Sequence, residues 1–600
     1  MRRPFIHFLV LVSAGWVGCS SDRGSFVSAP REFGDPDAGL EAVDAGCTGV
    51  VCSRDLRSVR DCDGNVVKEC EADKACGNGA CVTPCNAAAI NEGSVGCSFA
   101  IPGQNSTVDG RGSCAAFFVA NNWTSPATLH LEYDGQELSL ADAVWVPVVE
   151  DGVLRHEKLD GPIPPGGAAV VFLSNEDTGV PYWIACPRGV KPIFDKEQAV
   201  YGTGIGHAVL ASADVPVSMY SIFPYGGARS NYPSATLLLP TTSFRKNYVV
   251  AGLWGGRDDL FGTNMLPNSG GLPSAGAPTL QIVATEDDTS VDILPPVDIV
   301  GGRGLHPSPR NVVANYKLKR GEVMQLTQHR ELVGSVVETS KPVGVFAGVT
   351  CVQVPSDIGY CDIENKQIPP LSAWGHEYAV LPAPNRIAWV SKDKESERDW
   401  SVIRMVGAVD GTELVYEPGP PDGAPATLQS GQLARFFSYE PFVVRSQDSA
   451  HPFYVASLMT GAGASATMLG DPETAIAVPT DQWLDSYLFY SDATYPFSSV
   501  FVTRRRVDGG FHDVTLDCAG PLTGWKAFGA DYEWTYARLT HAGKAVAYDG
   551  SSCTDGAHRI QSGGPFSMTV WGIGVTASYA YPGGAGLRPI SDVHVPAVVH

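Results

Sequence analysis

Two pairs of carboxylates offer the first chemistry. Asp362-x-Glu364 and Asp471-x-Glu473 set two acids at a spacing of two, so on a β-strand both members of a pair share one face. Such a face suits Ca²⁺, a hard cation that prefers oxygen ligands; the other reading is a solvated face that binds nothing. Paired acids could also serve a glycosidase, but two acids on one strand do not by themselves straddle a glycosidic bond. The chain shows no G-x-S-x-G elbow, P-loop or H-E-x-x-H helix, and His376-Glu377 lacks a second histidine. Gly202, Gly204 and Gly206 miss the final spacing and following helix of a nucleotide loop, and read as a turn between strands. The 13 histidines are scattered. No enzyme is expected, and calcium at Asp362, Glu364, Asp471 and Glu473 is the sole cofactor these residues raise.

Cysteine chemistry is more plentiful. Of 15 cysteines, Cys47, Cys52, Cys62, Cys70, Cys76, Cys81, Cys85 and Cys97 fall in one short window without the paired spacing of a zinc site. A small exported module with little apolar content needs covalent staples, so disulfides are expected there. Eight cysteines leave the pairing open among about 105 connectivities. Proximity pairs Cys351 with Cys361 and Cys518 with Cys553, and elimination leaves Cys114 with Cys186. Asp61-Cys62-Asp63-Gly64-Asn65 has the start of a calcium loop but not its later ligands, and reads as a hairpin turn on Asp-Gly.

The export signal these disulfides require stands at the N-terminus. Arg2 and Arg3 precede an apolar run, Phe5 to Val12, and small residues lead to Cys19. This is a secretory signal peptide. Trp16-Val17-Gly18-Cys19 resembles a bacterial lipobox, with Trp16 departing from the usual Leu; Cys19 is the expected lipidation site, the alternative being ordinary cleavage nearby. Ser20 to Gly46 is a polar Gly/Pro/Asp tether. No later stretch is apolar for long enough to span a bilayer, so the only expected membrane attachment is the N-terminal lipid.

Composition narrows the rest. With 42 basic and 64 acidic residues the net charge is −22, unsuited to nucleic acid. Gly (66) and Pro (44) are abundant while charged residues make up 18%, a balance of many short strands and turns.

Those strands fall into a repeat. Pro240-x3-Phe244-x3-Tyr248 returns as Pro370-x3-Trp374-x3-Tyr378 and as Pro479-x3-Trp483-x3-Tyr487. The spacing fits a helical turn that puts aromatic and tyrosine on one side, as a staple between units or as a carbohydrate platform. Upstream, Pro216, Pro342, Pro452 and Pro565 each open an apolar strand. A unit of about 110 residues or more can close its own core, unlike a solenoid repeat. The expected fold is all-β: tandem β-sandwich-like units after a small disulfide-rich module, with a large β-propeller as the alternative. Expected boundaries are 1–18 (signal peptide), 19–46 (tether), 47–97 (Cys module), and β units at 98–240, 241–370, 371–479 and 480–600.

Tyr201 to Gly252 resembles the IgGFc-binding protein N-terminal domain family, on Pro216-Val217, Leu238-Leu239-Pro240 and Tyr248-Val249-Val250. Thr285 to Ile293 and Tyr579 to Gly584 look like its bacterial members, many of them myxobacterial-type surface lipoproteins with a Cys-rich leader. The resemblance implies a lipid-anchored surface protein that binds or adheres to an extracellular protein or glycan without turnover. A structural envelope protein and a secreted glycan hydrolase are the other classes in view. No Fc-binding residues can be carried over.

Overall fold

Strands account for most of the chain because alternating apolar segments are punctuated every few residues by glycine, proline or Asp-Gly turns. The computed structural model describes residues 49–53, 56–104, 106, 110–150, 153–230, 232–252, 276–355, 360–390, 399–465 and 467–598. The leader, the whole tether (19–46) with Cys19, and Cys47 lie outside these residues. The fold is all-β, and the longest helix among the described residues is Pro84–Asn91.

One bent strand organises each sandwich. Gly204–Phe223 has 20 residues, Val336–Val352 has 17 and Gly556–Gly574 has 19. At about 3.3 Å per residue these reach roughly 55 to 65 Å, some three times an ordinary strand. Each therefore serves two sheets. The first half of Val336–Val352 pairs with Arg245–Val249 and Thr289–Leu294; the second half pairs with Pro278–Ala284 and Asp362–Ile368. Gly204–Phe223 divides the same way, between Gly96–Pro102 with Leu129–Tyr133 and then Ala115–Asn121 with Ser234–Leu238. Gly556–Gly574 pairs with Leu484–Ser491 and Val514–Leu516, then with Phe497–Arg505 and Ala577–Pro582. In the third copy the strand is cut into Phe442–Arg445 and Phe453–Met459, and the same order of partners survives.

The proline landmarks mark the switch from one sheet to the other. Register shifts fall between Ser212 and Val217, between Glu338 and Val343, and between Gln561 and Phe566, beside Pro216, Pro342 and Pro565. A residue without an N–H removes no ladder bond at a point where the ladder is already broken. Each copy is thus a sandwich of two small sheets sharing a bent strand, and no closed propeller forms among the described residues.

The copies do not keep separate cores. Phe118, Tyr220 and Leu237 of the first pack with Phe489, Tyr490 and Tyr581 of the fourth. Val291 and Val345 of the second pack with Val402 and Tyr454 of the third. The chain also closes on itself: the Ser94 N–H donates to Ala585 O at 2.8 Å, and the Leu587 N–H to Glu92 O at 2.6 Å. Four sandwiches therefore make one closed cycle.

The Cys module carries Cys52–Cys76, Cys70–Cys81 and Cys85–Cys97, and Cys62 is also disulfide-bonded. The sandwiches carry Cys114–Cys186, Cys351–Cys361 and Cys518–Cys553. Asp61 Oδ1 accepts the N–H groups of Asp63 (3.0 Å) and Asn65 (2.9 Å), so this carboxylate is spent on the hairpin turn between Ser58–Asp61 and Val66–Glu69.

Candidate functional site

The last strand of each sandwich lies at the centre of the cycle: Ser234–Leu238, Asp362–Ile368, Thr474–Ile476 and Ala577–Pro582. The first touches the second and the fourth, and the third touches the fourth. Register makes their positions equivalent. Ser234, Glu364 and Tyr579 pair with Phe223, Val349 and Gly572, while the Met459 N–H donates to Glu473 O at 2.9 Å. Each of these partners lies seven residues beyond the proline of its bent strand. Ser234, Glu364, Glu473 and Tyr579 thus form one layer around the axis. Asp362 and Asp471 sit one step before it and Lys366 one step after.

This layer brings the two predicted carboxylate pairs together in the interior. Asp362, Asp471 and Glu473 have no exposed surface and Glu364 has 2%, so the solvated-face reading does not hold. Asp362 Oδ2 accepts the Ser578 N–H at 3.0 Å. Asp471 Oδ1 accepts the Ala462 N–H at 2.9 Å, and the Ser578 hydroxyl donates to Asp471 O at 2.6 Å. The Thr474 hydroxyl donates to Glu364 Oε1 at 2.5 Å, from the third sandwich to the second.

Lys366, which the sequence did not single out, is the hub. Its ammonium pairs with Glu473 of the third sandwich and donates to Ala235 O of the first (2.6 Å) and Ala580 O of the fourth (2.9 Å). One side chain thereby ties its own sandwich to the other three. Burial pulls the Lys366 ammonium down to about 7, against the pull of Glu364 and Asp362. Burial holds Asp362 well above the carboxylate range, and the nearby Asp471 charge adds to this. Asp471 is raised by burial against the Ala462 N–H and Arg386. Burial raises Glu364 as well, opposed by Lys366.

A cavity of ≈ 50 Å³ lies beside this cluster, lined by Thr236, Lys366, Thr474, Tyr581 and Leu587 among others. Ligand pockets run to roughly 300 Å³ and more, so this one has room for a water or two and no sugar ring. The arrangement can hold charge and bind the copies to each other; it offers no face to a glycan.

The aromatic triplets are also interior. A 3₁₀ turn covers only Thr241–Ser243, Leu371–Ala373 and Thr480–Gln482, and Phe244, Trp374 and Trp483 already have extended backbone. The expected helical turn is therefore shorter than the spacing of four and four required. What the tyrosines share is a hydrogen bond across the bent strand. The hydroxyls of Tyr248, Tyr378 and Tyr487 donate to the carbonyls of Val343, Phe453 and Phe566, each directly after the proline of its strand. Phe244 is buried in the core of the first sandwich while Tyr248 enters that of the second. Trp483, the most exposed of the six at 7%, leaves no open ring face for a sugar.

A metal cluster of another kind is ruled out by its chemistry. Asp517, Cys518 and His558 gather their ligand atoms within 4.8 Å. Cys518 is oxidised with Cys553, and the His558 nitrogens are engaged by Asp517 Oδ1 (2.9 Å) and Thr554 O (2.6 Å).

A family model described as IgGFc binding protein matches residues 234–572. The chain belongs to this family. The IgGFc binding protein match begins at Ser234 of the axial layer and includes Asp362, Glu364, Lys366, Asp471 and Glu473. The chain is also 25% identical over 230 residues to the IgGFc-binding protein of Homo sapiens. That alignment covers 38% of this chain and 4% of the human protein's length. No solved structure matches.

Proposed function

We propose that the protein is an exported, non-enzymatic binding protein, lipid-anchored at a bacterial outer membrane through Cys19. Residues 19–46 act as the tether, and the Cys module and the closed cycle of sandwiches are held outside. The ligand is an extracellular protein or glycan taken by loops at the sandwich ends, including the Cys351–Cys361 connection. Membership of the IgGFc binding protein family carries this reading. Thirteen disulfide-bonded cysteines among the described residues fit an oxidising compartment. No helix among the described residues is long and apolar enough to cross a membrane. The carboxylate pairs that might have served a hydrolase are sealed at the axis, which supports binding without turnover.

The test is intact mass and membrane partitioning of the natively expressed protein beside Cys19→Ala, followed by whole-cell binding to glycoprotein and glycan probes. Expected results are an acylated N-terminus at Cys19, release of the variant, and saturable binding without product. Two soluble, unacylated forms would overturn the anchor. Turnover abolished by Glu364→Gln would overturn the non-enzymatic reading.

A further inference from the structure

We infer that Asp362 and Asp471 hold a Ca²⁺ ion inside the cycle, where the second, third and fourth sandwiches meet. Geometry prepares both carboxylates for it. Each has one oxygen fixed by a backbone N–H, Ser578 for Asp362 Oδ2 and Ala462 for Asp471 Oδ1. Ser578 Oγ also lies 3.4 Å from Asp362 Oδ2 and donates to Asp471 O, locking the two strands side by side. The opposite oxygens, Asp362 Oδ1 and Asp471 Oδ2, are buried without a hydrogen-bond partner. So is the hydroxyl of Tyr495, a fully buried side chain whose ring packs edge-on against Tyr579 at 4.7 Å. The charges of Asp492 and, more weakly, Asp362 both act on this hydroxyl. Unsatisfied buried oxygens on neighbouring groups point to an ion or water between them.

Charge decides which. Asp362, Glu364, Asp471 and Glu473 face the ammonium of Lys366; Arg386 is committed to Asp399, while Arg404 shares Glu331 with Arg435, which leaves one positive charge over to act on Glu364. All four carboxylates ionised, against that ammonium and that one surplus arginine charge, would leave two uncompensated charges in a dry interior, each costly. A proton shared between Asp362 and Asp471 removes one. A divalent cation removes two and uses both free oxygens, and Ca²⁺ accepts further oxygens from hydroxyls, carbonyls and water.

The full chain, stripped with chelator, is titrated with Ca²⁺ and separately with Tb³⁺, whose luminescence is sensitised by nearby tyrosine such as Tyr495. Expected are uptake of one Ca²⁺ per chain by about 1 mM, a melting temperature that rises with Ca²⁺, and a Tb³⁺ signal that Ca²⁺ displaces. Asp362→Asn and Asp471→Asn should each abolish uptake and make melting indifferent to Ca²⁺. Should either variant fail to fold, the wild-type titration still decides. Absence of uptake, uptake unchanged in a folded variant, or a wild type whose melting is indifferent to Ca²⁺ would overturn the site.

Discussion

Tyr378 and Phe453 join the third sandwich at its bend: the tyrosine hydroxyl donates to the Phe453 carbonyl at 2.6 Å and accepts the Gly375 N–H at 3.1 Å. The same two bonds recur at Tyr248 and Tyr487. They satisfy backbone groups that the break in register would leave buried and unpaired. Tyr378→Phe keeps the ring and strands both groups, so it should destabilise the protein by about 1 to 3 kcal/mol. Chemical denaturation of wild type and variant measures it. In the first sandwich Gly96 pairs with Val217 as Arg245 pairs with Val343, which puts Phe99 where Tyr248 stands. That copy does without the bond, and a loss far below 1 kcal/mol at Tyr378 would assign the bend to proline and packing alone.

Lys366 should be among the most sensitive positions in the chain. Lys366→Met leaves Glu473 as an uncompensated buried charge and leaves the Ala235 and Ala580 carbonyls without their donor, at a cost of about 3 to 5 kcal/mol. Lys366→Met combined with Glu473→Leu removes both charges and should recover much of that loss. A double-mutant cycle by thermal and denaturant unfolding gives the coupling. Additive single losses would mean that the two side chains do not act as a pair.

Stability should fall as pH rises through Asp555. Burial pushes this carboxyl up to about 7, so the folded chain keeps a proton that the unfolded chain releases near pH 4. The contribution is full below about pH 4 and is lost on the way up through about pH 7, a change of about 4 kcal/mol. Asp492, raised by burial to about 6, adds a slope of the same sign. Asp555→Asn imitates the protonated carboxyl. It should leave stability near pH 4 unchanged and raise it at about pH 8. Unfolding curves for both proteins at the two pH values provide the check.

The sandwich repeat is legible because its landmarks answer local demands. A proline falls where a strand loses its ladder, an aromatic where one copy plugs into the next, and a tyrosine where bent backbone needs a donor. The closure is not legible in the same way. Asp362-Ile363-Glu364-Asn365-Lys366 alternates charged and uncharged residues, the pattern of a strand with one wet face. Every residue of Asp362–Ile368 is nevertheless buried, because strands from the other three sandwiches cover the charged face. That cover depends on contacts such as Lys366 to Ala580, more than 200 residues apart. An acid pair repeated in register before two successive triplets, with Lys366 beside the first, was the signal available. Its meaning required the geometry of the whole cycle.

The disulfides should rank by the loop each closes. Cys114 and Cys186 are 72 residues apart, Cys351 and Cys361 only 10. Constraint of the unfolded chain predicts about 4 kcal/mol for the first and about 3 kcal/mol for the second. Local structure reinforces the order. The Cys114 N–H donates to Ile184 O and the Tyr225 N–H to Cys114 O, both at 2.8 Å, so this bridge fastens the start of Ala115–Asn121 to the segment around Cys186 and to the end of the bent strand. Cys114→Ala/Cys186→Ala should lower the melting temperature more than Cys351→Ala/Cys361→Ala. Differential scanning calorimetry on both double variants makes the comparison, and a larger loss at the short loop would show that its bridge acts through the folded state, by ordering the connection that leads into Asp362.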